Sequence, residues 1–315
     1  MKCKIAFLLA GAMMTAALAG CGSNTTEDTA NTTQDTTPAV SEPADTTPEP
    51  TVTETDLATG TVTVYDYGTL KLHAYATGDA LGDMAYIVEG ADALVGIELP
   101  SFTDSLAAWQ GYVESLNKPM EDLFLDAHAA GASYAEGMNF YGTQAAQEAI
   151  ASGSTYATTQ GLYETYGEDF HGGDDIAQIN QVVSGTVTVG GIEFRLIDQG
   201  DTYDLEIPAL NVIYTHMLGK TSHSILASTE AMDAMLDTLH QYQDAGYPMI
   251  LSGHSTPEGQ DAVTEKIAYV EKAKELGIPV RLYDNDGNRI NPATMMIDDR
   301  ISEEYRNAIR GLKFV

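Results

Sequence analysis

An aspartate and a histidine, Asp126 and His128, follow a short apolar run and are residue types that bind metal ions. The run at 123–125 has the length of a buried β-strand, and the first polar side chains come where that strand should end. Strand residues two positions apart point to the same face, so both side chains would address one ion if the strand continued through them. The alternative is that His128 only packs against the strand end.

The elements that must position this pair follow from hydrophobic periodicity. The first half of the chain predicts strands at 61–67, 70–76, 84–89, 93–98, 121–126 and 139–142, and helices at 102–117 and 144–151. Helices or loops are expected over 153–182. The second half predicts strands at 186–189, 192–198, 202–207, 212–217, 248–251 and 280–283, and helices at 230–245, 258–276 and from 302. The two halves repeat one scheme, which predicts an α/β (α+β) fold: a four-layer αββα sandwich of two mixed sheets with helices outside.

The first twenty residues have the pattern of a signal peptide. Lys2 and Lys4 precede an apolar stretch at 5–19 that is too short to span a bilayer comfortably. The ending Leu-Ala-Gly-Cys at 18–21 resembles the lipobox of bacterial lipoproteins, which implies a lipid-modified Cys21. The resemblance implies a protein anchored to the outer face of the cytoplasmic membrane. Cys21 would be the one cysteine of the mature chain, so no disulfide is expected.

Residues 21–56 are composed almost entirely of Thr, Pro, Ser, Ala, Asn, Gln and acidic residues, without Lys or Arg. Such a segment has too little apolar surface to offset the entropy of ordering it, so we expect a disordered tether. The composition changes near residue 57, and residues 57–315 are long enough for one large core. The sequence therefore predicts a single folded domain held away from a membrane.

The chain is strongly acidic, with a formal net charge of -31 from 15 Lys and Arg against 46 Asp and Glu. A protein of this charge is repelled by nucleic acids and by anionic headgroups, so nucleic acid is not expected as a partner. The charge identifies no substrate, because solubility alone accounts for an acidic surface.

Several stretches together resemble the metallo-β-lactamase fold over essentially the whole of 57–315. They are the strand pair at 86–98, the strand entering Asp126-Ala-His128, a Tyr-Gly-Thr strand end at 141–143 before a helix, and Ile-Leu-Ser-Gly-His at 250–254. In that family the second stretch reads His-x-His-x-Asp-His. The matching positions here are Asp126, His128, Ala130 and Gly131.

The same resemblance implies where the remaining metal ligands fall. The family's Gly-His-Thr histidine corresponds to Asp201, its bridging aspartate to His216, and its final Gly-His histidine to His254 without change. The implied ligand set is Asp126, His128, Asp201, His216 and His254. Two carboxylates with three imidazoles suit one Zn²⁺, Fe or Mn ion.

The replacements separate two classes of function. Ala130 and Gly131 offer no ligand atom, and loss of a positioned acid typically lowers a rate about 10²–10⁴-fold, so an ordinary two-zinc hydrolase is not expected. The first class is a surface-tethered, metal-dependent, hydrolase-like protein for ester, lactone or amide bonds with an atypical or partly lost metal site. The second is a non-catalytic protein that has lost its metal and uses the same scaffold to bind a small molecule or a surface partner.

Overall fold

The computed structural model describes residues 49–218, 229–275, 290–291 and 296–297. Its first sheet has eight strands that lie side by side in chain order. They are β1 Thr51–Asp56, β2 Thr61–Asp66, β3 Lys71–Ala76, β4 Met84–Glu89, β5 Leu94–Ile97, β6 Met120–Phe124, β7 Asn139–Gly142 and β8 Gln181–Val182. Strands β1 to β5 pair antiparallel, whereas β5 to β8 pair parallel and need crossover connections. Helices α1 (Thr103–Ser115), α2 (Gln144–Ser152) and α3 (Ser154–Tyr166) lie in those connections.

The second sheet has five strands in the order β13-β12-β11-β10-β9. They are β9 Gly185–Val189, β10 Ile192–Asp198, β11 Tyr203–Ile207, β12 Val212–Thr215 and β13 Met249–Ser252. Only the β12–β13 pair is parallel, and α4 (Thr229–Ala245) lies in its crossover. Helix α5 (Gln260–Glu275) follows β13, and β14 (Ile290–Asn291) pairs with β15 (Met296–Ile297).

The two sheets pack face to face around one apolar core. The rings of Phe124 on β6 and Phe194 on β10 are 4.7 Å apart between centroids. Along β12, Tyr214 faces this core, while Ile213 belongs to a second cluster with residues of α4 and α5. This alternation is expected of a sheet that is covered on both faces. The predicted α/β (α+β) sandwich of two mixed sheets with helices is confirmed.

The predicted boundary between tether and domain at residue 57 is too late. Residues 51–56 form the edge strand β1, which pairs with β2 although all six side chains are exposed. Backbone hydrogen bonds rather than apolar burial hold this strand, so its composition resembles that of the tether. The predicted signal peptide and Cys21 lie outside the described residues, as do the predicted strand at 280–283 and the helix from 302. None of the described helices has the length and apolar character needed to cross a membrane.

Candidate metal centre

Three of the five predicted ligands, His128, His216 and His254, lie together at one edge of the sandwich. His128 follows β6 of the first sheet, while His216 and His254 directly follow β12 and the end of β13 in the second. One ring nitrogen of each residue lies within 4.8 Å of those of the other two. The three ring centroids are 4.8 to 4.9 Å apart.

The geometry of this cluster fits one divalent metal ion. The Nε2 atoms of His128 and His254 are 3.3 Å apart, which matches the separation of about 3.3 Å between two ligands of a tetrahedral zinc ion. The Nδ1 atoms of His128 and His216 are buried and have no hydrogen-bond partner. Imidazoles are common ligands of zinc, iron and manganese, so the chemistry of the donors also fits.

A buried aspartate, Asp83, which the sequence does not single out, faces this cluster. Its Oδ1 lies 3.3 Å from His254 Nδ1 and 3.6 Å from His128 Nε2. Burial would raise the pKa of Asp83, but the charges and hydrogen bonding of His128 and His254 outweigh it and lower the pKa. Conversely, burial would lower the pKa of His254, and Asp83 outweighs that effect and raises it. The pKa of His216 lies well below its usual value, mainly because the ring is buried. The neighbouring rings of His128 and His254 lower it further.

A second unpredicted residue, Glu98, holds the loop that carries His128. Its carboxylate is fully buried and accepts hydrogen bonds from the backbone N–H of Ala127 at 2.9 Å and of His128 at 2.8 Å. The Tyr214 hydroxyl, on the opposite sheet, donates to the same carboxylate at 2.8 Å. Glu98 has a φ of 63°, a conformation that is uncommon for residues other than glycine and that clusters at functional sites.

The structure does not bring Asp126 into the histidine cluster. Strand β6 ends at Phe124, so the two-residue alternation does not extend to Asp126 and His128, and their side chains do not share a face. Asp126 is buried and accepts the backbone N–H of Tyr203 at 3.0 Å. Burial, and then the charge of Glu98, raises the pKa of Asp126 well above its usual value. Its contacts make it a link between the two sheets.

Asp201 is also absent from the cluster. It lies in the turn between β10 and β11, is exposed, and accepts a hydrogen bond from the Ser154 hydroxyl at 2.7 Å. The turn is closed by the backbone hydrogen bond from Gln199 N–H to the Thr202 carbonyl at 3.0 Å. Asp201 therefore does not supply the ligand that the family resemblance implies at this position.

The positions of the family's missing ligands have packing roles instead. Ala130 is buried in a small apolar cluster with Phe102 and Phe170. Gly131 has a φ of 91°, and a Cβ added there would lie 2.7 Å from Leu106 Cδ1. Helix α1 therefore occupies the space that a ligand side chain at residue 131 would need, and the described residues hold donors for one ion rather than two.

A cavity of about 360 Å³ lies beside His216, between the second sheet and α4. Its lining includes His216, Met235 and the buried carboxylate of Asp204, whose Oδ2 accepts hydrogen bonds from Gln199 Nε2 and the Tyr242 hydroxyl. Burial raises the pKa of Asp204. His216 therefore borders both the histidine cluster and a partly open cavity large enough for a small ligand.

Comparison with solved structures identifies the fold. A metallo-β-lactamase family protein of Thermus thermophilus is 14% identical with a TM-score of 0.50 over 66% of this chain and 81% of its own. A double mutant of the sec-alkyl sulfatase PisA1 is 16% identical with a TM-score of 0.47 over 65% of this chain and 41% of its own, so the chain spans about two fifths of that sulfatase. A metallo-β-lactamase from Pontibacter korlensis is 10% identical with a TM-score of 0.43 over 70% of this chain and 99% of its own. No protein-family model and no curated protein matches the sequence.

The domain has the metallo-β-lactamase fold, as the sequence resemblance implied. Within the described residues, this fold carries one group of three histidines that could hold a metal ion.

Proposed function

We propose that this protein is a metal-dependent hydrolase-like protein whose one metal ion is held by His128, His216 and His254. The observation that carries the proposal is the convergence of three imidazoles from both sheets, with ligand nitrogens within 4.8 Å of one another. Three imidazole donors are the protein ligand set of one class of catalytic zinc site, so these residues would suit such an ion. His128 and His254 match histidines of the family pattern, whereas His216 stands where the family has an aspartate. The site is therefore an atypical form of the family's metal centre.

A bound Zn²⁺, Fe or Mn ion would polarise a carbonyl oxygen and activate a water molecule, which is the chemistry that hydrolysis of an ester, lactone or amide needs. The chain's own residues have separate tasks. Glu98 fixes the backbone at His128. The cavity next to His216 offers an apolar wall for the substrate's non-reacting part.

Metal content of the full chain, purified without chelators or a histidine tag, tests the proposal. We expect about one equivalent of zinc, iron or manganese by elemental mass spectrometry, lost in His128→Ala, His216→Ala and His254→Ala. The matched control is His240→Ala, because His240 lies on the exposed face of α4. A chelator should lower the melting temperature of the parent protein and of His240→Ala. It should leave the melting temperatures of the other three histidine variants unchanged. Absence of metal after reconstitution with all three ions would refute the proposal.

A second candidate function is binding without catalysis. It is favoured by the apolar environment of Ala130, where the family places an acid that orients the reacting water. In this reading the cavity beside His216 binds a small molecule, or the scaffold binds a surface partner, without metal. A protein that binds no metal after reconstitution and hydrolyses none of a panel of esters, lactones and amides would favour this second function.

The site of action proposed for the protein is the outer face of a bacterial cytoplasmic membrane. The proposal rests on the charged start, apolar stretch and Leu-Ala-Gly-Cys ending at 18–21, with Cys21 as the lipidated residue. Metabolic labelling with a fatty-acid analogue should mark the parent chain and not the Cys21→Ser variant. Labelling that is equal in both would contradict lipidation at Cys21.

A further inference from the structure

Asp83 is a buried carboxylate that lies against the histidine cluster. Its side chain is 0% exposed, and the groups that face it are His128, His254 and the side chain of Ser101. Burying a charged acceptor without a partner destabilises a fold more than burying a neutral one. A carboxylate buried this completely therefore depends on its interactions with the groups that face it.

Two of those groups are clustered histidines, and they approach the carboxylate unequally. His254 turns its Nδ1 toward Asp83 Oδ1 at 3.3 Å, while its Nε2 lies 3.3 Å from His128 Nε2. Asp83 Oδ1 is 3.6 Å from His128 Nε2. The two nitrogens of His254 thus have different surroundings: one faces a carboxylate and the other faces the cluster.

The backbone fixes Asp83 and His254 relative to each other. The Asp83 carbonyl accepts the N–H of Thr77 at 3.1 Å and its hydroxyl at 2.8 Å. The next residue, Met84, donates its N–H to the carbonyl of Gly253, directly before His254, at 2.8 Å. A backbone hydrogen bond between segments of the two sheets therefore holds Asp83 and His254 next to each other.

We propose that Asp83 is a positioning residue that accepts the Nδ1–H of His254 and so leaves the lone pair of His254 Nε2 directed into the cluster. The inference rests on the proposed metal site, whose ligand it would orient. Metal-bound histidines almost always donate their other ring N–H to a carboxylate, a carbonyl or water, which fixes the tautomer. The carboxylate also supplies negative charge next to a set of neutral imidazoles, a charge that Ala130 and Gly131 cannot supply.

The tautomer of His254 tests this inference without any metal. In metal-free protein labelled with ¹⁵N-histidine, at a pH where the ring is neutral, long-range ¹H–¹⁵N spectra should place the proton of His254 on Nδ1. Asp83→Ala should shift the population toward the Nε2–H form, and Asp83→Asn, which keeps an acceptor oxygen, should restore the parent spectrum at least in part. The exposed Asp92→Ala is the matched control. A proton on Nε2 in the parent protein would overturn the inference, whether or not the variants fold.

Zinc affinity, measured by competition with a chromophoric chelator, gives the second readout. We expect Asp83→Ala to bind zinc about 10–100-fold more weakly than the parent chain, with Asp92→Ala unchanged. Equal affinity in Asp83→Ala and the parent would overturn the role of Asp83 and leave the three-histidine site intact. Failure of the parent to bind zinc, iron or manganese would instead refute the proposed function, and the His254 tautomer would still decide the role of Asp83.

Discussion

Glu98 Oε2 accepts the backbone N–H of His128 at 2.8 Å, so a carboxylate from the end of one strand fixes the main chain at a proposed ligand thirty residues later. The neighbouring oxygen accepts the Ala127 N–H and the Tyr214 hydroxyl. Three donors from both sheets therefore meet on one side chain, which itself has a φ of 63°. The three hydrogen bonds to its carboxylate stabilise the loop at His128 and so compensate for the strained backbone of Glu98.

Replacing this carboxylate should weaken both stability and metal binding. Glu98→Gln turns an NH₂ group toward one of the donors, so we expect the free energy of unfolding to fall by about 1–3 kcal/mol. Zinc affinity should fall about 10–100-fold, because the loop carrying His128 is no longer held. Urea unfolding and chelator competition measure the two effects. Glu121→Gln, on an exposed position of β6, should change neither, and unchanged stability in Glu98→Gln would contradict the role of Glu98.

Gly253 should be required for the position of His216. A Cβ added at residue 253 would lie 2.4 Å from His216 Nδ1. We expect Gly253→Ala to displace the ring, abolish stoichiometric metal and cost about 1–3 kcal/mol from overpacking. Gly111→Ala, where an added Cβ meets nothing within 4 Å, should bind metal normally.

A double variant separates the clash with the ring from a general backbone effect. If the ring is the obstacle, Gly253→Ala should cost less stability in a His216→Ala background than in the parent chain. Equal costs in the two backgrounds would show that the His216 carbonyl, 3.1 Å from the added Cβ, is the obstacle instead.

Restoring the family's acid at residue 130 should not restore its chemistry. Ala130 packs with Phe102 and Phe170, so Ala130→Asp places a carboxylate in apolar surroundings and should cost at least about 2 kcal/mol of stability. Metal stoichiometry should not rise. Thermal unfolding and elemental analysis check both outcomes, with Ala107→Asp on the exposed face of α1 as the control. A second bound ion in Ala130→Asp would contradict this prediction.

Lys266 should make stability depend on alkaline pH. Burial lowers the pKa of Lys266 from 10.5 to about 8, although the charge of Glu258 opposes the shift. Between about pH 8 and pH 10.5, Lys266 is protonated in the unfolded chain and deprotonated in the folded protein. The free energy of unfolding therefore rises with pH in this range. Lys266→Met removes this dependence and should be more stable than the parent at neutral pH by up to roughly 3 kcal/mol.

The difference between Lys266→Met and the parent should shrink as pH rises from 8 toward 10.5. Urea unfolding across that range measures it. Lys272→Met, on a partly exposed position of the same helix, should give no such trend. A difference that is constant with pH would show that Lys266 is not buried as a charged group.

Much of the fold was predictable because its signals are local. Alternation and short apolar runs located the strands from β2 to β7 and from β9 to β13. His216 and His254 were located by the family resemblance, and each lies at or near the end of a strand whose position the apolar pattern predicted. The edge strand β1 was missed because none of its side chains is buried.

The parts of the site that were missed depend on contacts between distant residues. Asp126 seemed a ligand because it is two residues from His128, but its partner is Tyr203, 77 residues later. Glu98 has a backbone conformation that its residue type does not indicate. For Asp83 a faint signal existed: an acid directly before the strand Met84–Glu89, of which five residues are buried. A charge at the start of so buried a strand must face either water or a partner.

The placement of the cluster has a consequence for the order of synthesis. His128 and His254 lie 126 residues apart in sequence, yet their Nε2 atoms are 3.3 Å apart. The carbonyl of Gly253, which accepts the Met84 N–H, is likewise among the last groups of the second sheet to be made. A chain growing from its N-terminus therefore lacks the third imidazole until almost the entire sandwich has been translated. Nascent and truncated chains are without the complete binding site, so metal capture would be confined to molecules in which both halves have docked.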